Sequence, residues 1–519
     1  MFPTPDNVAK LQNTLENDLL VFLPELALCI GIVALLLARL LPVLDRVHLG
    51  GVAVVALVIA LFAGGFQVYQ FRKPDDWPGL YFAGMLTSDA WGGFVRLIVL
   101  AAALVTVVLT QLTGIPDKND SADFYVLLLG GTLGMTLMTS ASHLLMIFIA
   151  VEMASLPGYA MAGFLKGKKN GSEASLKYVV YGAAASGVML YGMTLLTGTF
   201  GTGTLRDVSA GIAARGLDLP VLAGLVLTFV GLGFKLAAVP FQFWCPDVFE
   251  GAAAEVAGFL SVASKAGAIG LTGRLLLTLN TSQQGGWGIP ASLGVGVAVV
   301  AMITVTFGNL AAFAQTNLKR LLAYSTIAHA GYMLMALAVV TEAGAASVLY
   351  YLSAYVAMNL GAFGVVALIR NATGSEDISA VRGLVRRNPL LAITMLVFMA
   401  SLLGLPPLAG FAGKFQVFSA VYEAAKTATA SGPPGLGTVF FVLLAVGAVN
   451  TAVSAYYYLK IARAMLLDDA VEPVSREPKA SAGAALFLVA LCAFLFAAGV
   501  VWDPLVSETA KAASAFRSM

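Results

Sequence analysis

The sequence predicts an all-α transmembrane protein of about fourteen helices, built on two inverted five-helix repeats, with helices seven and twelve broken. Three observations predict it. Hydrophobic residues make up 59% of the 519-residue chain and charged residues 11%, whereas soluble domains run near one half and one quarter. Apolar runs of about 20 residues, enough to cross the hydrocarbon core, recur along the chain with short connections. Two similar blocks return at a fixed offset: "ASLPGYAM" (154–161) precedes "ASLKYVVYGAAASGVMLYG" (174–192), and "TIAHAGYM" (326–333) precedes "ASVLYYLSAYVAMNLGAFG" (346–364).

The span-length rule places the helices at 19–41, 48–71, 89–113, 122–139, 143–165, 173–199, 218–243, 251–279, 289–315, 320–340, 344–369, 389–422, 434–459 and 482–502. The first three form an N-terminal segment (1–121). Spans four to eight make a first repeat (122–279), and spans nine to thirteen a second (289–465). Span fourteen and a tail complete the chain (482–519). Five is odd, so the second repeat lies inverted relative to the first, as in many secondary transporters. Residues 1 to 18 carry Asp6, Glu16 and Asp18 instead of a basic leader, so span one is expected to stay as a helix and not to be cleaved. Thr139 to His143 is a weak join between spans four and five. The longest polar insertions are 200–217, 370–388 and 460–481.

Two spans carry helix breakers. Pro240 interrupts "FKLAAVPFQFW" in span seven, and Gly404, Pro406, Pro407, Gly410 and Gly413 interrupt "LLGLPPLAGFAGKF" in span twelve. Proline removes a helical hydrogen bond and clashes with the preceding turn. Backbone groups freed inside a membrane persist only where protein or water satisfies them. Breaks are therefore expected near Val239–Pro240 and Leu405–Pro407, beside polar interior sites. Orientation follows from loop lysines and arginines: with the N-terminus outside, sixteen fall in cytoplasmic loops and eight outside, which favours both termini on the outer face.

The remaining composition excludes several functions. A net charge of +2 leaves no basic surplus for nucleic acid. Cys29, Cys245 and Cys492 are too far apart for a metal or redox motif, and His48, His143 and His329 form none. No Gly-rich nucleotide loop is present, so the chain is expected to bind no cofactor of its own.

Ionisable residues inside spans are costly and usually mark ion pathways. Glu152, Lys235 and Lys265 fall in the middle third of spans five, seven and eight; Lys414 follows the break in span twelve. Lys177 lies nearer the cytoplasmic end of span six, and His329 adds an imidazole in span ten. Hydrocarbon surroundings penalise a lysine's charged form and a nearby carboxylate favours it, so moving the carboxylate toggles proton binding. Glu152 is the only mid-span carboxylate, which makes it the natural partner for Lys235 first and Lys177 second. Arg96 and Arg274 fit packing contacts as well as an ion path.

At these residues a family becomes visible. "FLPELALCIGIVALLL" (22–37), "GFKLAAVPFQFWCPDVFEG" (233–251), "FLSVASKAGA" (259–268), "GNLAAFAQTNLKRLLAYSTIAHAGYML" (308–334) and "GLPPLAGFAGKF" (404–415) resemble the subunit N family of NADH-quinone oxidoreductase (complex I). The likeness runs from about residue 19 to 465. It implies a proton-translocating membrane-arm subunit of the inner membrane, without its own redox centre. The assembled complex would use NADH and quinone, and the partners would be other membrane-arm subunits and lipid. The resemblance also implies roles: Glu152 and Lys235 as an ion pair, Lys177 as its modulating lysine, Lys265 as the central lysine, Lys414 as the terminal lysine toward the outer side, and Lys319 and His329 as polar residues of the connecting axis. Two departures stand out. Gln242 replaces a common histidine, which weakens the case for a titrating group at that loop, and "EGAAAEV" (250–256) lacks the usual proline and has Glu255, which changes the entry to span eight and makes the cytoplasmic proton inlet implied there less secure. The alternative function is an Mrp-type cation/proton antiporter subunit; a non-pumping scaffold is a third class.

Overall fold

The computed structural model describes residues 15–41, 48–70, 79–116, 120–165, 169–281, 288–469 and 480–514. Of the loop charges that set the orientation, Lys10, Arg46, Arg72, Lys73, Lys118, Lys166, Lys168, Arg476, Lys479 and Arg517 lie outside the described residues. Thirteen described helices are long and apolar enough to cross a membrane. The fourteenth crossing is the interrupted span twelve, Pro389–Leu403 followed by Ala409–Ser431. Fold class and span count therefore follow the reading from the sequence.

Spans one to three are Leu23–Leu40, Gly50–Gln70 and Ala90–Thr113. Spans four to eight are Ser121–Ser140, Leu144–Ala162, Lys169–Phe200, Leu219–Leu236 with its continuation, and Ala254–Leu279. Spans nine to eleven are Ala291–Ala312, Leu318–Ala338 and Glu342–Thr373; thirteen and fourteen are Leu436–Leu466 and Ala482–Val500. Spans seven and twelve, the fourth members of the two five-helix repeats expected from the sequence, are both broken.

Local chemistry sets the ends. Asp89 accepts from the Gly92 amide at 2.7 Å and starts span three; Gly114, at φ 79°, stops it. Asp218 caps span seven through the Val221 amide at 3.2 Å. The weak join between spans four and five is a true break, with Ala141 extended and His143 Nδ1 accepting from the Leu145 amide at 3.1 Å.

Several elements differ from expectation. Span seven does not end at 243: it stops at Leu236, and the chain resumes as a second helix, Trp244–Gly251. The polar insertion 200–217 contains a helix, Leu205–Arg215. A short helix, Asp503–Ala513, follows span fourteen, and β1 (Gly79–Tyr81) pairs antiparallel with β2 (Leu86–Ser88). These pieces are too short or too polar for a span-length rule to find.

The two ends of the bundle are chemically distinct. One end gathers Arg320, Arg370, Arg382, Arg386 and Lys460, tied by Arg382–Asp468, Arg386–Asp469 and the Asn317–Asp377 bridge. We call it the basic end. At the opposite end two buried arginines join helices. Arg274 (span eight) meets Asp89 through both guanidinium nitrogens at 2.5 and 2.9 Å and donates to the Thr139 carbonyl of span four. Arg96 (span three) meets Glu25 (span one) at 2.9 Å, Gln67 (span two) at 3.0 Å and Ser140 (span four) at 3.1 Å. Both arginines thus make packing contacts that lock the first three spans to the first repeat. Spans nine and ten touch at glycines: an added Cβ at Gly308 would lie 2.6 Å from the Ala328 nitrogen, and one at Gly331 2.7 Å from the Val305 nitrogen. That close approach packs span ten against span nine, and span ten is almost wholly buried.

Candidate functional site

The two helix breaks create the site. Span seven ends at Leu236, where Ala237 takes φ 53°, and its last carbonyls lose their helical partners. Two of them take side-chain donors. The Trp244 indole donates to the Phe234 carbonyl at 3.0 Å. The Lys265 ammonium donates to the Leu236 carbonyl at 2.9 Å and to the Thr326 carbonyl of span ten at 3.1 Å. Span twelve repeats the arrangement: Pro389–Leu403 stops at Gly404, and Lys414 Nζ donates to the Leu402 and Leu403 carbonyls, both at 3.0 Å. A third lysine follows the same rule. Lys319 Nζ donates at 2.6 Å to the Ala252 carbonyl, immediately after Trp244–Gly251, and meets Glu376 at 2.8 Å. A helix C-terminus carries partial negative charge, so each ammonium sits where the backbone favours it. All three lysines are buried.

Span eight delivers Lys265 through a local irregularity. Leu260–Ser264 is a π-turn directly before the lysine. Such turns shift the register of the following residues and widen the helix.

Span ten joins the lysine sites. Thr326, His329 and Tyr332 are three residues apart and share one face. Thr326 Oγ1 accepts from Tyr355 at 3.1 Å, and Asn359 Nδ2 lies 3.5 Å from it and 2.5 Å from Ser261 Oγ. His329 Nδ1 lies 2.6 Å from the Tyr351 hydroxyl, and Nε2 3.0 Å from that of Tyr458, which bonds Ser325 at 2.6 Å. Lys414 Nζ sits 4.6 Å from the centre of the Tyr332 ring, close enough for a cation–π contact. The line from Lys265 through Thr326, His329 and Tyr332 to Lys414 is buried throughout.

The other sequence-derived residues fall into two groups. Lys235 is buried, and its Nζ has no hydrogen-bond partner among the described residues. Glu152 accepts from the Ser186 hydroxyl, and no ion pair joins it to Lys235 among the described residues. Lys177 is not drawn to Glu152: 38% exposed, it pairs with Asp247 and Glu173, both at 2.7 Å. Asp247 also takes Arg320 at 2.7 Å, and Arg320 takes Glu250 at 2.7 Å. This chain of charges ties span six to the second half of span seven and to span ten at the basic end.

Sequence reasoning missed Tyr351, Tyr355, Asn359, Tyr458, Ser261 and the carboxylates Asp247 and Glu376; it singled out Glu255 without giving it a partner. One signal was present: Tyr351, Tyr355 and Asn359 recur every four residues in an apolar helix, which puts polar groups on a single face. Among the described residues no group of three or more His, Cys, Asp or Glu is placed to hold a metal ion.

The chain is similar to known membrane subunits over most of its length. Residues 141–432 match the family model described as "NADH:quinone oxidoreductase/Mrp antiporter, TM". A relative from Anaeromyxobacter sp. (strain Fw109-5), NADH-quinone oxidoreductase subunit N, is 39% identical over 96% of both chains. A subunit N 2 from Sorangium cellulosum (strain So ce56) is 38% identical over 97% of this chain and 99% of the relative. A chain of respiratory complex I from Thermus thermophilus superposes with a TM-score of 0.73 at 33% identity, covering 93% of this chain and 98% of the other. A chain of the Mrp complex from Dietzia sp. DQ12-45-1b, at 20% identity and a TM-score of 0.79, shares the fold.

Proposed function

This chain belongs to the NADH-quinone oxidoreductase subunit N family, an antiporter-like, proton-translocating group of membrane subunits, and on that footing we propose that protons cross it along Lys265, His329 and Lys414, supplied by Lys235 under the control of Glu152. The basic end faces the cytoplasm and both described termini face the outer side, as the excess of loop lysine and arginine favours. NADH oxidation and quinone reduction belong to the assembled complex, in which this chain lies in the membrane arm beside other subunits. Lys177 and Lys319 act at the cytoplasmic end, where Asp247 and Glu376 hold them.

One observation carries the reading. Each repeat places a lysine ammonium on the carbonyls that its helix break has freed, and the polar face of span ten joins the two. An ammonium there is held by charge-assisted hydrogen bonds of about 1.5–3 kcal/mol each. Moving a charge across the whole membrane costs about 2.3 kcal/mol per 100 mV. The two are comparable, so the sites retain a proton against the field until a conformational or electrostatic change releases it. His329 lies between two tyrosine hydroxyls and passes a proton in at one ring nitrogen while releasing one at the other. Lys414 is the last acceptor.

Lys414→Met tests the reading in membrane vesicles containing the assembled complex. It removes the terminal proton acceptor while nearly keeping side-chain volume. Proton pumping and NADH-driven quinone reduction should fall together, about tenfold or more. Normal pumping by an assembled Lys414→Met complex overturns the path.

A further inference from the structure

Glu255 is a buried carboxylate that the path above does not use. It stands in the first turn of span eight with no exposed surface. Its oxygens accept from Arg370 Nη2 at 3.1 Å and Nη1 at 3.3 Å. Arg370 closes the last turn of span eleven and keeps 11% of its side chain exposed at the basic end. Asn371 holds that guanidinium at 2.9 Å and is itself tied to the Thr113 carbonyl of span three at 2.8 Å. The pair therefore stands between solvent and the interior, with solvent on the Arg370 side only. Lys319 reaches the same segment, donating to the Ala252 carbonyl three residues before Glu255 and meeting Glu376 at 2.8 Å.

Inward from Glu255, polar groups continue to the central lysine. Ser261 lies on the same helix, about 9 Å further along its axis at 1.5 Å per residue. Asn359 brings the Ser261 hydroxyl, at 2.5 Å, toward that of Thr326. The Thr326 carbonyl receives Lys265. The π-turn lies within this interval, where irregular helix backbone offers extra carbonyls to bridging water.

We propose that Glu255 is the group through which a cytoplasmic proton enters the central axis, with Arg370 holding it between deliveries. This rests on the proton path through Lys265 proposed above. A hydronium ion at the basic end gives its proton to the Glu255 carboxylate. The proton then moves over water and the Ser261 and Thr326 hydroxyls to the unprotonated Lys265 amine. Glu255 is left as a carboxylate and re-forms its pair with Arg370. The step needs only a proton and water.

The test uses the complete complex in its membrane, with Glu255→Gln and Lys265→Met made in parallel. Glu255→Gln still accepts from Arg370 but cannot carry a proton. It should lower pumping and coupled quinone reduction about tenfold, and Glu255→Asp should restore most of both. In Glu255→Ala, added formate should raise pumping in proportion to its concentration. A clamp that only ties spans eight and eleven would gain nothing from formate. If Glu255→Gln pumps normally while Lys265→Met does not, the axis stands and Glu255 is not its inlet. If both pump normally, the axis itself fails. If Glu255→Gln does not assemble, Glu255→Asp decides through the deuterium solvent isotope effect on pumping. A changed effect supports the inlet, and an unchanged effect overturns it.

Discussion

Lys265 offers the sharpest separation of packing from proton release. Its ammonium donates to the Leu236 carbonyl at 2.9 Å and the Thr326 carbonyl at 3.1 Å. The Leu236 carbonyl lies at a helix end, so removing its donor leaves a buried acceptor unpaired, at about 1–3 kcal/mol. Lys265→Met should therefore destabilise the subunit by about that amount as well as stop the relay. Lys265→Arg keeps a positive charge and donors for both carbonyls, but arginine does not deprotonate in proteins. It should assemble closer to the wild-type level than the methionine variant and still pump about tenfold less or worse. The assay pairs the amount of assembled complex with proton uptake into vesicles and with NADH-driven quinone reduction. Normal pumping by Lys265→Arg would refute the idea that this lysine gives up its proton. Full assembly of Lys265→Met with unchanged thermal stability would refute the account of the break.

The Glu152–Lys235 interaction can be measured by a double-mutant cycle of Glu152→Gln and Lys235→Met. Contact at 4 Å with effective dielectric about 20 would give about 4 kcal/mol, and without direct contact the non-additivity in pumping should be smaller yet measurable; simple addition means the residues are uncoupled. His329→Leu should abolish pumping with the complex assembled, whereas Tyr458→Phe, which leaves the Tyr351 hydroxyl on the ring, should retain part of it; the two sets of vesicles, read side by side, check this order. Asp89→Asn leaves Arg274 buried without its counter-charge, at about 3–5 kcal/mol, so heating the isolated complex should release this subunit earlier, while complex that survives pumps normally. A cysteine at Arg386, whose side chain is 74% exposed at the basic end, should be labelled from the cytoplasmic face alone; labelling from outside overturns the orientation.

The residues that sequence determined by itself are those whose cost is local. A run of about 20 apolar residues crosses a membrane whatever its neighbours, so spans such as Ala482–Val500 were visible. Pro240 and the Gly404, Pro406–Pro407 cluster disfavour a continuing helix, so the breaks were visible too, and span seven stops at Leu236 and span twelve at Leu403, whereas the lone Pro157 is carried inside span five. Lys235, Lys265 and Lys414 were legible because a charge in the middle of an apolar run has few explanations. Tertiary structure alone decided what those charges touch. Glu152 and Lys235 sit at similar depth in sequence, yet the carboxylate is taken by Ser186 and the lysine stands apart from it. Lys177 turns to Asp247 and Glu173. Glu25, Asp89 and Glu255 lie near span ends, where counting residues cannot separate a solvated carboxylate from a buried one; packing against Arg96, Arg274 and Arg370 buries them. The physical reason is reach. Burial of an apolar run depends on its own length, whereas the partner of a lysine depends on which of several carbonyls and carboxylates the helix packing brings within 3 Å of a long, rotatable side chain.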